Sequence, residues 1–338
     1  MMKKLMLYGA HDLRLEELPL PTTLGPTQVR LKTVITGVST GTERTLYTCS
    51  DPHWSEVIRG PLPYDMGYNN IAIVTAVGER VTRFKPGDRV YSIAPHTSED
   101  IFEEEGVIAR VPDGVADEDA VFTHLFSLGL HALRRGDFTP GSRVAVIGMG
   151  VIGLCTVALA KAIGAQVLAV GRGAARLAVA QQLGADLVLD ADAPDFHARA
   201  AAFGGADGID IAVLIGSTWS ALRTGCEILR HGGTLSLIGF PGVEAAAPDF
   251  NPFDASWFYL KQLTFASVSF VPRKPYPVQE VRWTLVRNYE YLLYLMQQGK
   301  LSVAPMITDR CSYTDYQAMY ERMAAGDREL IGLIFTWE

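Results

Sequence analysis

Residues 143–153 read RVAVIGMGVIG, and this stretch decides the fold of the protein. The apolar run before Gly148 predicts a buried strand, and the apolar run from Val151 predicts a helix over residues 151–163. Between them, Gly148, Gly150 and Gly153 form a G-x-G-x-x-G pattern. Glycines at this spacing permit a tight turn, a close approach of a pyrophosphate to the backbone, and close packing of the helix on the strand. The stretch therefore predicts a dinucleotide-binding site.

The phosphates of the dinucleotide are expected at the first turn of this helix. A helix N-terminus offers backbone N–H groups without intrahelical partners, together with the positive end of the helix dipole. We expect Gly148, Gly150, Val151 and Ile152 to form this part of the site. A glycine-rich turn without a ligand is the alternative, but the strand, the helix and the following strand all stand where a dinucleotide site needs them.

Strands and helices alternate after the glycine pattern. Strands are predicted over residues 166–170, 186–189, 209–215 and 233–238, and helices over 176–183 and 220–229. Parallel strands need crossover connections of this length, since a short hairpin cannot join them. The pattern predicts an α/β fold with a doubly wound parallel sheet.

The turn after the second strand indicates which dinucleotide binds. An NAD site places Asp or Glu on the ribose 2′-hydroxyl at this point. This chain has Gly171 followed by Arg172, and Arg176 stands one turn further on. A guanidinium can bind a 2′-phosphate at two points, and no carboxylate repels it there. We expect NADP(H) as the cofactor. The alternative is that Arg172 is a solvated charge and the backbone holds the ribose.

Composition excludes several classes of protein. The 338 residues are 48% hydrophobic and 20% charged, which predicts folded domains rather than a disordered chain. The net charge of −7 and the absence of Lys/Arg runs argue against a nucleic-acid partner. No apolar stretch has the length of a membrane span, and no signal-peptide core follows Lys4. The four cysteines form no C-x-x-C pair, which is typical of free thiols, so we expect a cytoplasmic protein.

The order of the elements predicts an inserted domain. Residues 1–120 read as short strands with Gly and Pro turns, a pattern typical of a β domain. Residues 121–270 carry the strand–helix alternation. Residues 271–338 begin with a proline-rich linker, continue with helices over residues 281–298 and 314–325, and end in a predicted strand over residues 329–337 that returns to the first domain.

The chain resembles the medium-chain dehydrogenase/reductase superfamily over nearly its whole length. The resemblance rests on GVSTGTE at residues 37–43, FKPGDRV at residues 84–90, the inserted nucleotide domain and the closing strand. It implies a GroES-like β domain beside a Rossmann domain, with a small-molecule substrate in the cleft between them. It also implies hydride transfer with a nicotinamide cofactor, near which Ile215, Gly239 and Phe240 are expected.

Zinc-dependent members of that superfamily have Cys and His ligands that this chain lacks. Their Cys-Gly-Thr/Ser-Asp motif corresponds to STGTE at residues 39–43, and their Gly-His-Glu corresponds to Gly67-Tyr68-Asn69. Hydroxyl and phenol groups are poor zinc ligands beside thiolate and imidazole. The region 92–106, which corresponds to a four-cysteine structural zinc lobe, contains no cysteine. His124 aligns with a third ligand position, but one histidine does not make a zinc site. We expect no metal.

Without a metal, the substrate oxygen needs a protein acid or base. His124 titrates in the right range and Tyr68 offers a phenol, while Ser39, Thr40 and Thr42 offer hydroxyls that Glu43 orients. We therefore name His124, Tyr68, Ser39 and Thr40 as candidate catalytic residues. The alternatives are that His124 is a core histidine and that Tyr68 is a wall residue.

Three functions remain open from the sequence. The STGTE segment resembles that of bacteriochlorophyllide dehydrogenase-like and sugar- or cyclitol-dehydrogenase-like branches, which implies oxidation of a secondary alcohol that is a polyol, a cyclitol, sugar-like or bulky. The other zinc-free branch, of quinone and enoyl reductases, reduces activated C=C bonds with NADPH. A non-catalytic NADPH-binding protein is the third. The β-prone segment 263–270 predicts an edge strand that pairs in a homodimer.

Overall fold

The computed structural model describes residues 1–241, 246, 248, 250–268 and 283–337. The predicted linker with Pro272, Pro275 and Pro277 lies outside the described residues. So do the predicted domain boundary at residues 270 and 271, the first two residues of the predicted helix 281–298, and the last two residues of the predicted edge segment 263–270.

The described residues form sixteen strands and ten α-helices. The strands are β1 Met2–Gly9, β2 Asp12–Leu18, β3 Gln28–Val38, β4 Tyr64–Asp65, β5 Asn70–Val77, β6 Arg89–Ser92, β7 Glu99–Glu103, β8 Ile108–Arg110, β9 Arg143–Ile147, β10 Gln166–Gly171, β11 Leu187–Asp190, β12 Ile209–Leu214, β13 Leu229–Leu237, β14 Thr264–Ser267, β15 Ile307–Ser312 and β16 Gly332–Thr336. The helices are α1 Thr40–Thr48, α2 Pro52–Arg59, α3 Asp117–Ala120, α4 Thr123–Arg135, α5 Val151–Ala162, α6 Ala174–Gln182, α7 Phe196–Gly204, α8 Trp219–Ile228, α9 Leu285–Gln297 and α10 Tyr316–Ala324.

The chain divides into two compact units. The first unit comprises Met1–His124, Pro272–Lys300 and Ile307–Glu338, and the second comprises Leu125–Val271 and Leu301–Met306. The second unit therefore interrupts the first in the chain. Residues 301–306, which the sequence pattern predicted with the first domain, group with the second unit.

The second unit contains a parallel sheet of six strands in the order β11-β10-β9-β12-β13-β14. This is the strand order of a doubly wound dinucleotide-binding fold, so the predicted fold class is confirmed. Strand β9 lies inside the sheet, and its Val144, Ala145 and Val146 are fully buried. Strands covered on both faces are continuous apolar runs for this reason, which is how the sequence RVAVI identified β9.

The first unit contains two sheets. The smaller sheet has the order β2-β1-β4, and the larger follows the path β15-β16-β3-β5-β6-β8, with β7 also paired to β3. Strand β16 pairs antiparallel with β3, where Leu333 lies opposite Val38, and parallel with β15. The C-terminal strand thus belongs to the same sheet as the N-terminal segment. A buried cluster that includes Leu5, Tyr47, Tyr320 and Phe335 packs this region.

Two helix predictions differ from the structure. Residues 117–135, whose sequence predicts one continuous helix, form two helices, α3 and α4, with the buried Val121 and Phe122 between them. Helix α7 was not predicted, although its buried positions Phe196, Ala200 and Gly204 have a four-residue spacing. Within the described residues, none of the helices combines the length and the apolar character needed to span a membrane.

Candidate active site and cofactor-binding site

The fold does not need glycine equally at the three motif positions. Gly148 adopts φ +108°, a left-handed conformation that disfavours side chains. A Cβ atom on Gly153 would lie 1.9 Å from the carbonyl oxygen of Gly148, so only glycine lets α5 approach β9 this closely. A Cβ atom on Gly150 would meet nothing within 4 Å. The fold therefore requires glycine at Gly148 and Gly153, whereas the space above Gly150 is the place that a pyrophosphate would fill.

The first turn of α5 starts beside this open space. Gly150 is the N-cap residue and has no side chain with which to cap the helix, and Val151 and Ile152 follow it as the first helical residues. The N–H groups of this turn are therefore available to a phosphate rather than to a side-chain cap. The backbone here fits the dinucleotide that the sequence predicts.

The other predicted cofactor residues lie at the ends of neighbouring strands. Gly171 ends β10, and a Cβ atom there would lie 2.7 Å from Cγ of Met149. Ile215 directly follows β12, and its N–H donates to the carbonyl of Ile147 over 2.9 Å. A Cβ atom on Gly239 would lie 2.1 Å from the carbonyl oxygen of Ile215. Phe240 is 53% exposed. Strands β10 and β12 flank β9 and run parallel to it, so Gly171, Ile215 and Gly148 all stand at the carboxyl ends of neighbouring strands.

Arg172 and Arg176 occupy different positions near this edge. Arg172 makes a two-point ion pair with Asp192, with 2.7 Å from Nε to Oδ2 and 3.1 Å from Nη2 to Oδ1. Both side chains are more than half exposed. The pair raises the pKa of Arg172 and lowers that of Asp192 through the hydrogen bonds between them. Arg176 instead donates from Nη1 to the carbonyl of Met149 inside the glycine motif.

In the first unit, Tyr68 lies among hydroxyl groups. Burial raises the pKa of Tyr68, and the nearby hydroxyls of Ser39 and Thr42 lower it by a smaller amount. Ser39 is the N-cap residue of α1, and Thr42 stands in the first turn of that helix. The structure therefore places Tyr68 near Ser39. Thr42, rather than the other candidate Thr40, supplies the second hydroxyl.

His124 lies beside Tyr68. Their rings are 5.4 Å apart between centroids and meet edge to face at 82°. His124 is the second residue of α4, and its Nδ1 atom lies 2.6 Å from the hydroxyl oxygen of Tyr289 on α9. The structure thus places three candidate residues, Ser39, Tyr68 and His124, in one cluster and adds Tyr289 to them.

A buried tyrosine and an asparagine extend this cluster. The hydroxyl of Tyr91 lies 3.0 Å from Oδ1 of Asn69, and the rings of Tyr91 and Tyr289 meet edge to face with centroids 5.0 Å apart. Burial raises the pKa of Tyr91 well above its ordinary value. The sequence analysis singled out neither Tyr91 nor Tyr289 as a site residue. The apolar spacing of α9 marks Tyr289 as buried but carries no sign of a polar contact.

A second polar network lies under Ser39. Glu43 is fully buried, and its Oε1 accepts the backbone N–H of Ser39 over 2.8 Å. Its Oε2 is 3.0 Å from Nε2 of His96 and also accepts the hydroxyl of Tyr320. Although burial itself opposes ionisation, these contacts with His96, Tyr320 and Ser39 together hold the pKa of Glu43 below its ordinary value. Glu43 thus anchors the start of α1, the segment whose hydroxyls the sequence expects it to orient. His96 and Tyr320 were missed, because no local spacing links them to Glu43.

Known proteins resemble this chain in sequence and in fold. The family model described as "Zinc-binding dehydrogenase" matches residues 151–284. Rat (Rattus norvegicus) sorbitol dehydrogenase is 31% identical over 276 residues, which cover 70% of this chain and 74% of that enzyme. The chain belongs to the medium-chain dehydrogenase/reductase superfamily. As a member of it, the protein is an oxidoreductase.

Two solved structures share the whole fold of this superfamily member. One is a putative zinc-binding dehydrogenase from Sinorhizobium meliloti 1021 bound to NADP, with a TM-score of 0.79 and 20% identity. The other is an alcohol dehydrogenase from Escherichia coli CFT073 complexed with NADH, with a TM-score of 0.79 and 17% identity. Each comparison covers 99% of both chains. At these identities the likeness establishes the fold alone.

The side chains of this superfamily member do not fit a zinc ion. Ser39, Tyr68 and His124 stand where zinc-dependent members would have their ligands by the sequence resemblance. Of the three, only His124 has a side chain that zinc commonly takes as a ligand. Across the described residues, no group of three or more His, Cys, Asp or Glu side chains is placed to hold a metal ion.

Proposed function

We propose that the protein is a zinc-independent, NADP(H)-dependent oxidoreductase that interconverts a secondary alcohol and its ketone. The observation that carries the proposal is the contact between Tyr68 and His124, with the hydroxyls of Ser39 and Thr42 on the phenol. These groups supply acid–base chemistry where zinc-dependent relatives place a Lewis acid.

The substrate class follows from the relatives and from the polar character of the cluster. The name sorbitol dehydrogenase describes an enzyme that acts on a polyol, and that enzyme is 31% identical to this chain. Phenol, imidazole and aliphatic hydroxyl groups are suited to hydrogen-bonding a hydroxylated substrate. We therefore favour a polyol, a cyclitol, or a sugar-like or bulky secondary alcohol.

The cofactor would bind in the second unit. Gly148, Gly150 and the first turn of α5 would hold the pyrophosphate, and Arg172 would bind a 2′-phosphate. Bound there, NADP(H) accepts or supplies the hydride of the reaction. The ion pair with Asp192 does not prevent this role, because an exposed ion pair contributes little to stability and a guanidinium has further donors.

The proton of the alcohol must move when hydride leaves carbon. Tyr68 stays protonated at neutral pH because its pKa is raised, so it is suited to donate a hydrogen bond to the substrate oxygen. His124, whose ordinary titration range includes neutral pH, is suited to exchange the proton. Ser39 and Thr42 orient the phenol, and Glu43 holds the N-terminus of the helix that carries Thr42.

The test is turnover by the purified protein with a panel of polyols, cyclitols and bulky secondary alcohols, in the presence of NADP or NAD. We expect nicotinamide reduction with NADP preferred, and no loss of activity after dialysis against a chelator. Stoichiometric zinc removed together with activity would contradict zinc independence. Turnover of enones alone would favour C=C reduction, and binding of NADPH without any turnover would favour the non-catalytic function.

Assembly and location are part of the proposal. We propose a homodimer formed through β14, which is the outermost strand of the parallel sheet among the described residues, since two-fold dimers are the commonest way to cover such an edge. We propose a cytoplasmic location, which suits the four free cysteines.

A further inference from the structure

The imidazole of His96 contacts both segments that carry the candidate residues Ser39 and Tyr68. His96 is fully buried and lies in the connection between β6 and β7. Its Nε2 atom is 3.0 Å from Oε2 of Glu43, the carboxylate whose other oxygen accepts the backbone N–H of Ser39. Its ring also packs on Gly67, where a Cβ atom would lie 2.6 Å from Cδ2 of His96. Gly67 directly precedes Tyr68, so one buried ring supports both segments.

The hydrogen bond at the other ring nitrogen has its direction set by Trp337. The indole Nε1–H of Trp337 can only donate, and it lies 3.0 Å from Oγ1 of Thr36. Within the described residues, the one further side-chain partner of that hydroxyl is Nδ1 of His96, at 2.7 Å. Thr36 is fully buried, and a buried hydroxyl proton without an acceptor is costly. Thr36 therefore donates its proton to Nδ1, which accepts it.

The proton of the imidazole is thus left on Nε2, from which it points at Glu43. Oε2 of Glu43 also accepts from the hydroxyl of Tyr320, while Oε1 accepts the backbone N–H of Ser39. Three donors therefore meet one fully buried carboxylate. A protonated carboxyl would direct its own proton at one of these donors, so the arrangement fits the ionised form of Glu43.

We propose that His96 is a positioning residue of the candidate site, which carries its proton on Nε2 and fixes the carboxylate of Glu43 against the N–H of Ser39. Through its packing on Gly67, the same ring sets the backbone that leads into Tyr68. His96 acts through these neighbours rather than on the substrate. The inference rests on the proposed function, because it assigns the group that holds the acid–base residues of that function in place.

The first test needs neither substrate nor cofactor. Ring nitrogen chemical shifts are measured by NMR on the full-length protein at neutral pH, and the His96 signals are assigned by their loss in His96→Gln. We expect a protonated-type shift on Nε2 and an unprotonated-type shift on Nδ1. The opposite tautomer, or a ring protonated on both nitrogens, would overturn the inference.

A pair of variants at Thr36 gives a second assignment that leaves His96 in place. Thr36→Val removes the hydroxyl that donates to Nδ1, so it should shift Nδ1 more than Nε2. Thr36→Ser keeps the hydroxyl and should leave both ring nitrogens near their wild-type shifts. A Thr36→Val protein in which Nδ1 does not move would contradict the hydrogen bond from Thr36.

Two substitutions at His96 distinguish the hydrogen bond from the filling of space. His96→Gln keeps an amide donor for Glu43, whereas His96→Leu fills the space without a donor. The backbone N–H signal of Ser39, observed with ¹⁵N-serine labelling and assigned by its loss in Ser39→Ala, reports on the carboxylate. This signal should move in His96→Leu and stay near its wild-type position in His96→Gln.

The kinetics of the same two variants test the positioning role. His96→Leu should lower kcat by about tenfold or more, the loss expected for a hydrogen bond to a charged group, with NADPH affinity nearly unchanged. His96→Gln should restore most of kcat, and His53→Leu, at an exposed histidine, is the control. Equal kcat values in His96→Leu and His96→Gln would overturn the positioning role. Failure of the wild-type protein to turn over any alcohol would refute the proposed function, while the ring and Ser39 shifts would still decide the tautomer and the anchoring of Ser39.

Discussion

The Nδ1 atom of His124 lies 2.6 Å from the hydroxyl oxygen of Tyr289, although 165 positions separate the two residues in the chain. The contact ties the first turn of α4 to α9, and both residues belong to the first unit. It gives the imidazole of His124 a polar partner. A histidine held in this way is suited to proton exchange, and the first prediction tests that role.

Removal of the acid–base groups should slow the reaction and leave the affinity for the cofactor nearly unchanged. His124→Ala and Tyr68→Phe should each lower kcat by roughly 10²–10⁴-fold, the usual contribution of general acid–base catalysis, with little change in NADPH affinity. Steady-state kinetics and fluorescence titration of NADPH measure the two effects. His53→Ala, an exposed histidine on α2, is the control. Wild-type kcat in both active-site variants would contradict the assignment and favour C=C reduction with a proton from solvent.

Cofactor preference should depend on Arg172. Arg172→Ala should weaken NADPH binding by about tenfold or more and leave NADH nearly unchanged, because only NADPH has the 2′-phosphate that a charged donor would bind. Asp192→Asn should keep or improve NADPH affinity, since it frees the guanidinium from its ion pair. Arg199→Ala, a partly exposed arginine of the same unit, is the matched control. Equal losses for both cofactors in Arg172→Ala would show that Arg172 does not read the phosphate.

Substitutions of two motif glycines should affect two different properties, thermal stability at Gly153 and NADPH affinity at Gly150. Gly153→Ala should lower Tm, because its Cβ would meet the carbonyl oxygen of Gly148 at 1.9 Å. Gly150→Ala should keep a nearly wild-type Tm and lose NADPH affinity, because its Cβ would enter the space where the pyrophosphate is expected. Thermal unfolding and NADPH titration distinguish the two, with Gly9→Ala as the control at an open position. Full NADPH affinity in Gly150→Ala would place the pyrophosphate elsewhere.

Stability should depend on the ionised form of Glu43. Because the pKa of Glu43 is lowered by folding, the folded state binds fewer protons than the unfolded state in acid. The stabilisation is complete above the unfolded value near 4.5 and is lost as the pH falls through the lower folded value. Glu43→Gln should cost about 1–3 kcal/mol at pH 7, since its amide nitrogen meets donors instead of accepting from them.

Urea unfolding at pH 7 and at pH 4 measures this dependence. The difference between wild type and Glu43→Gln should shrink at the lower pH, while Glu105→Gln, at an exposed glutamate, should match wild type at both. A difference that grows in acid would reverse the assigned sign.

The outer edge of β14 should mediate self-association. Within the described residues, β14 is the last strand of its sheet, and Phe253, Phe258 and Phe265 form an aromatic cluster beside it in which Phe258 is 48% exposed. Sedimentation equilibrium at micromolar concentration should give the mass of a dimer. Phe258→Glu should shift the mass toward the monomer, and Tyr294→Glu, an exposed position of the first unit, should not. A monomer mass for wild type would refute the dimer.

The fold was largely predictable from local patterns. The sequence RVAVIGMGVIG identified β9, the turn and α5, because a buried parallel strand is a continuous apolar run and the turn needs glycine at fixed positions. The sequence did not indicate the break between α3 and α4, where the buried Val121 and Phe122 lie. Helix α7 was missed because its buried face consists mostly of small residues.

Part of the candidate site could be predicted from the sequence, and part of it could not. Residue type and spacing within short segments were enough to predict the nucleotide fold, the absence of zinc-type ligands at residues 39 and 68, and the candidacy of Tyr68 and His124. The proximity of Thr42, rather than Thr40, to Tyr68, the pairing of Asp192 with Arg172, and the contact of Tyr289 with His124 became known only from the tertiary structure. Some of these contacts join residues that lie far apart in the chain, and others depend on the direction of a side chain. Neither property leaves a periodic signal in the sequence.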